Sequence, residues 1–176
     1  LLYCLDTNAY SKLKTVKGYD WIGQSQINWY TRESQKYTEQ NGGQPLPALV
    51  FLHIPLPEYT QAWESFDTKR YGDRNEKECS PNINSGMFTQ MLECGDVMGI
   101  FAGHDHVNDY IATLYNIALG YGRASGGKNT YGDKTPGSRM IVLKEGKREF
   151  DTWLREKENT EKLNVCTYPD SFVKKK

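Results

Sequence analysis

Three histidines stand among the 176 residues, and each sits where an apolar run gives way to polar sequence. His104 and His106 belong to Gly103-His104-Asp105-His106, directly after Val97-Met98-Gly99-Ile100-Phe101-Ala102, while His53 follows Ala48-Leu49-Val50-Phe51-Leu52. In an extended backbone, side chains at i and i+2 share a face, so His104 and His106 are expected to reach one small volume. Loops that follow strands are where α/β proteins place their chemistry. Neutral imidazole is a common ligand for zinc, iron and related ions, and three of them could fill one facial site. The pattern therefore points to a metal site at the edge of a sheet. A lone histidine at a strand end is more often hydrogen-bonded than ligating; the i, i+2 pair matched by a third favours ligation. Asp105, on the face opposite its neighbours, is expected to orient an imidazole or the loop rather than to ligate.

The other polar candidates each carry two readings. Glu58 serves a helix N-terminus. Asn84-Ser85-Gly86 is first an N-cap, or else a set of donors for an anion. Arg123, in Tyr121-Gly122-Arg123, is either a surface charge or a phosphate-binding group. Ser125-Gly126-Gly127 is not a P-loop, because it lacks the Gly-Lys-Ser/Thr ending. Trp21, Trp29, Trp63 and Trp153 are most simply packing residues.

The elements that must hold these residues form an α/β pattern. Residues 1–6 make a short apolar strand ending in Asp6-Thr7-Asn8. A helix is expected over 23–40, with Ser25 as N-cap and Ile27, Trp29, Tyr30 and Tyr37 as a partial apolar face. Asn41-Gly42-Gly43 stops it before the strand that ends at His53. Pro55 and Pro57 fix that strand's exit, and Pro57 suits the first position of a short helix over 58–66. Residues 67–81 are a polar excursion. Residues 85–93 place Met87, Phe88, Met91 and Leu92 on one side of a helix that Gly95 closes. After His106, strands are expected at 110–115, 117–121, 139–143 and 149–154, with a loop over 129–137 and a hairpin turn at Glu145-Gly146-Lys147. The fold class is thus α/β, a βαβ first half followed by mostly antiparallel strands. Residues 1–155 form the domain portion, and 156–176 are expected as a polar tail ending in Lys174-Lys175-Lys176.

Composition narrows the function. Lys+Arg and Asp+Glu both number 22, which argues against nucleic-acid or anionic-membrane binding by bulk charge. No apolar run approaches the roughly 20 residues of a membrane span. Cys4, Cys79, Cys94 and Cys166 lack metal-type spacing, and a Cys79–Cys94 bridge is one option in an oxidising compartment. The chain lacks an initiator Met and opens within a strand, so it is expected to be a piece of something longer.

His53 together with Gly103-His104-Asp105-His106-Val107-Asn108-Asp109-Tyr110 resembles the calcineurin-like metallophosphoesterases, in the branch of purple acid phosphatases and Dcr2-type phosphoesterases. Leu5-Asp6-Thr7-Asn8, Trp21-Ile22 with Gln26-x-x-Trp29, Phe51-Leu52-His53-Ile54-Pro55 with Glu58, Asn84-Ser85-Gly86 and Tyr121-Gly122-Arg123 fit the same branch. The resemblance covers roughly residues 1–155. It implies part of a four-layer α/β/β/α sandwich and two divalent or trivalent metal ions (Fe, Mn or Zn) sharing a bridging hydroxide that attacks phosphorus in line. His53 and His104 would ligate one ion and His106 the other. Asp105, Asn108, Asn84 and Arg123 become candidates to orient ligands or to meet the substrate. The remaining ligands belong to motifs of the type Asp-x-His, Gly-Asp-x-x-Asp and Gly-Asn-His, none of which occurs here. Family order puts them, and the histidine that assists the leaving group, before residue 1. The chain is thus expected to be a C-terminal half, inactive alone, holding at most one ion weakly, with the N-terminal half of the domain as its partner. The branch favours an extracytoplasmic location, secreted or periplasmic. Three readings follow: a phosphate-ester hydrolase carrying half of a dinuclear site, a non-catalytic fragment or binding domain, and a complete mononuclear three-histidine zinc hydrolase.

Overall fold

The computed structural model describes residues 1–126, 128 and 130–173. The expectations that touch Gly127, Asn129 and Lys174-Lys175-Lys176 lie outside the described residues. Strands β1 (Leu2–Cys4), β2 (Ala48–Phe51), β3 (Val97–Ala102), β4 (Ile111–Leu114) and β5 (Ile117–Tyr121) form a five-stranded sheet in the order β1-β2-β3-β5-β4. β1, β2, β3 and β5 run parallel, and β4 pairs antiparallel with β5 at the edge. β6 (Gly137–Leu143), β7 (Phe150–Glu156) and β8 (Leu163–Tyr168) form a separate antiparallel sheet.

The period of two along the central strands explains the layering. Val50, Ile100 and Leu119 face the helices α1 (Gln24–Gln40), α2 (Glu58–Glu64) and α3 (Met87–Cys94), packing against Ile27, Tyr30, Tyr59 and Met91. Leu49, Phe101 and Ala118 face the other way, onto Phe150, Cys166 and Tyr168 of the second sheet, and Met98 joins them because the alternation slips there, Ala48 pairing with Val97 but Leu49 with Gly99. A strand covered on both faces needs an unbroken apolar run, which is what β3 and β5 supply: all their residues are buried. Gly99 lets the sheets approach, since a Cβ there would lie 3.1 Å from Leu49 and 3.2 Å from Phe150. Among the described residues the layers number three: helices, mixed sheet, antiparallel sheet.

Several expectations change. The strands after His106 do not make one antiparallel sheet. Tyr115 and Asn116, both at positive φ, turn β4 into β5 as a tight hairpin, and β5 then completes the parallel sheet beside β3. Residues 156–176 are not simply a polar tail, because β8 pairs with β7 there and buries Cys166, Tyr168 and Phe172. The inward side chains are few and separated by polar outward ones, which hides the strand in a composition-level reading. Gly23, not Ser25, caps α1; α3 starts at Met87 behind Gly86 in the left-handed region; and Pro57 occupies the cap of α2. All four cysteines are free thiols, so the Cys79–Cys94 bridge is not formed. No helix among the described residues is long and apolar enough to cross a membrane.

Candidate metal centre

Parallel neighbours bring their C-terminal ends to one edge, and here the hydrogen-bond ladder continues past the strands into the loops. Leu5 N–H donates to Phe51 O, Leu52 N–H to Phe101 O, Gly103 N–H to His53 O and Gly122 N–H to Ala102 O, at 2.7–3.1 Å. The loop after β2 therefore lies against the loop after β3. A Cβ on Gly103 would sit 3.3 Å from Nδ1 of His53, so the glycine admits the imidazole. Thr7, after β1, accepts the Ile54 N–H at 3.0 Å and holds the His53 loop from its other side.

His53 Nε2 and His104 Nδ1 face each other at 3.2 Å. That separation is an N–H···N hydrogen bond between the two rings, and it lies close to the roughly 3.3–3.4 Å at which two imidazole nitrogens stand when bound at ~2.0–2.1 Å to one tetrahedral ion. Burial shifts His104 below its ordinary pKa, although Asp105 pulls the other way; the net effect favours the neutral, ligating form. Tyr19 packs its ring edge-on against His104, at 4.5 Å between centroids.

The extended-chain expectation for the motif fails at one residue. His104 has φ +72°, in the left-handed region, so the rule that i and i+2 share a face does not apply. His104 turns to His53, whereas His106 stacks on Tyr131 at 5.0 Å and 13° between planes. All three histidines line one cleft of about 270 Å³. Among the described residues, however, no group of three or more His, Cys, Asp or Glu side chains gathers around one point. The reading as a complete three-histidine zinc site is thus not supported by the arrangement.

The remaining candidates serve mainly to hold the loops. Asp105 is buried; it accepts the Tyr121 hydroxyl at 2.6 Å and the Cys79 N–H at 3.2 and 3.3 Å. It therefore orients the 67–81 excursion. Burial pushes its pKa up, against the bonds from Tyr121 and Cys79. Asn108, also buried, accepts the N–H groups of Asn75 and Glu76 and donates to Glu76 O. Asn84 donates to Glu58 at 2.6 Å and accepts the Gly86 N–H, tying α2 to the start of α3, and it does not line the histidine cleft. Arg123 does line it, yet its guanidinium is engaged by Asp109, by Glu156 at 2.5 Å and by Thr135 O at 2.7 Å. Ser125, Lys128 and Thr130 complete the wall; they come from a loop whose sequence offers no local signal of that role. Tyr19 and Tyr131 were likewise not legible as site residues, because only packing brings them to the histidines.

Comparison with known proteins gives a consistent picture. The chain is 44% identical over 132 residues to an Arabidopsis thaliana protein named probable inactive purple acid phosphatase 14, covering 71% of this chain and 32% of that protein. It is 36% identical over 162 residues to probable inactive purple acid phosphatase 29 of the same plant, covering 86% and 40%. It is 33% identical over 176 residues to the phosphatase DCR2 of Saccharomyces cerevisiae, covering 88% and 28%. The chain therefore spans well under half the length of these relatives. No family model matches, and no solved structure matches.

Proposed function

The chain belongs to the calcineurin-like phosphoesterases, in the branch of the purple acid phosphatases and Dcr2, and from that premise we propose that it supplies one side of a dinuclear metal centre for hydrolysis of phosphate esters. The observation that carries this reading is the His53–His104 pair at 3.2 Å on adjacent parallel strand ends, with His106 in the same cleft. Its nitrogen spacing suits one ion, and the histidine-rich donor set suits Fe, Mn or Zn. When bound, such ions would supply positive charge to polarise a phosphoryl oxygen and to acidify water.

This chain's own residues would do the rest by position. His53 and His104 would hold one ion and His106 the other. Asp105 and Asn108 keep the excursion packed behind the motif, so the imidazoles keep one arrangement. The wall of Ser125, Lys128 and Thr130 would face the phosphate ester, a monoester or a diester. The remaining donors would come from another segment of the same domain. That segment would also supply the fourth, helical layer. The uncovered face of the second sheet offers a place for it, with Met140, Val142 and Val165 exposed and the Trp153 Nε1 buried without a hydrogen-bond partner among the described residues.

A second reading, a fold retained without turnover, is favoured by the absence of a third converging donor among the described residues. Elemental analysis paired with hydrolysis of a chromogenic phosphate ester separates the two. One bound ion without turnover supports a half-site, no bound ion supports the second reading, and two ions with turnover from this chain would overturn both. His104→Ala is expected to abolish the bound ion, and unchanged metal content would overturn the ligand assignment.

A further inference from the structure

We propose that Tyr131, backed by Glu76, is a positioning residue for the His106 imidazole. The inference rests on the reading above that His106 donates to a bound ion. The Tyr131 ring lies nearly parallel to the imidazole, 5.0 Å between centroids. Its phenol oxygen accepts the backbone N–H of His106 at 3.0 Å and donates to Glu76 Oε1 at 2.6 Å. Glu76 is itself anchored, because its N–H donates to Asn108 Oδ1 and its carbonyl accepts the Asn108 amide, both at 3.1 Å. The circuit leaves the histidine motif at Asn108 and returns to it at His106. One face of the imidazole and the backbone that carries it are thus held from a loop 25 residues further along the chain.

Tyr131 is 44% exposed, so it contributes little to the core, and its contacts are with His106 and Glu76. A ligand ring already fixed in orientation loses less freedom when it coordinates, and partners that orient a ligand commonly alter metal affinity by ~10–100-fold. The circuit also fits the left-handed residue at His104. That residue sends the two imidazoles of the motif to different neighbours, so His106 needs a support of its own.

The test is a Co²⁺ titration of the full chain, followed by visible absorption of the bound ion and by paramagnetic shifts of the His106 imidazole in NMR spectra. Tyr131→Leu removes both the stack and the hydroxyl and is expected to weaken the Co²⁺ response at His106 by about tenfold. Tyr131→Phe keeps the stack but loses the hydroxyl and is expected to weaken it less. Circular dichroism and melting temperature are expected to be unchanged in Tyr131→Phe, which separates positioning from folding. No Co²⁺ response at His106 in the parent chain would overturn the assignment of His106 as a ligand, and the positioning role with it. A parent response with the same midpoint in Tyr131→Leu and Tyr131→Phe would overturn the positioning role alone.

Discussion

Glu78→Gln tests how the polar excursion is held beneath the site. Glu78 is 5% exposed. Its Oε1 accepts Arg74 Nε at 2.8 Å and the Tyr110 hydroxyl at 2.7 Å; its Oε2 accepts Arg74 Nη2 at 2.7 Å and the Thr60 hydroxyl at 2.8 Å. Burial alone would raise the carboxyl pKa, but the bonds from Arg74, Tyr110 and Thr60 outweigh it and hold it below the ordinary value. Glutamine replaces one oxygen with a donor, so one of the two donor pairs faces an NH₂ whichever way the amide turns. Breaking a buried ion pair costs about 3–5 kcal/mol. The Arg74 side chain is 21% exposed, so water takes up part of the freed guanidinium and the expected loss is about 2–3 kcal/mol. For a chain of this size that lowers the melting temperature by roughly 5–10 °C.

Urea denaturation followed by circular dichroism reads the effect, at pH 7 and then toward pH 3. A carboxylate with a depressed folded pKa contributes stability above its unfolded pKa and loses it as pH falls through the folded value. The parent should therefore converge on the variant in acid, because Glu78 protonates while the glutamine of the variant has nothing to titrate. A loss under about 1 kcal/mol at pH 7, or a loss that does not shrink in acid, would refute the view of Glu78 as a buried, fully bonded anion.

Asn108→Ala leaves the N–H groups of Asn75 and Glu76 without their acceptor. It is expected to cost about 1–3 kcal/mol, seen as faster amide exchange at those two residues. Gly137→Ala would place a Cβ 2.1 Å from Arg155 O, forcing β6 from β7; a lower urea midpoint, by about 1–3 kcal/mol, is the expected result. Gly103→Ala would press a Cβ against His53 at 3.3 Å. It is expected to weaken Co²⁺ binding by about tenfold at nearly unchanged melting temperature, and unaltered binding would separate His53 from the ion site.

The same excursion explains why the motif extends beyond its histidines. Asp105, Asn108 and Asp109 all turn to residues 73–79, through Cys79, Asn75, Glu76 and Asp73. Asp109 also meets Arg123 and Lys134, which tie the loop before β6 to the same point. The stretch Gly103 to Asp109 thus combines His104 and His106, which face the cleft, with Asp105, Asn108 and Asp109, which keep the loops packed behind it. Arg123 belongs to the second group, since its hydrogen bonds end on protein atoms rather than in open cleft.

The residues themselves determined the strands and the edge. Unbroken apolar runs at 48–52, 97–102 and 117–121 specify strands buried on both faces, because polar outward positions are missing. Histidines directly after two of those runs were bound to meet once the strands paired in parallel, and the helix periods and the Gly95 stop are equally local. The rest depended on tertiary contacts. β8 and the division of the later strands between two sheets rest on pairing across distant sequence, which local pattern does not encode. The parting of His104 from His106 depends on one left-handed backbone residue that is not glycine, a conformation sequence seldom signals and surrounding contacts must impose. Tyr19 and Tyr131 reach the site only because loops separated in sequence converge on one sheet edge. Residue type and spacing named the candidate ligands and the family they resemble, while long-range packing decided how those residues are arranged.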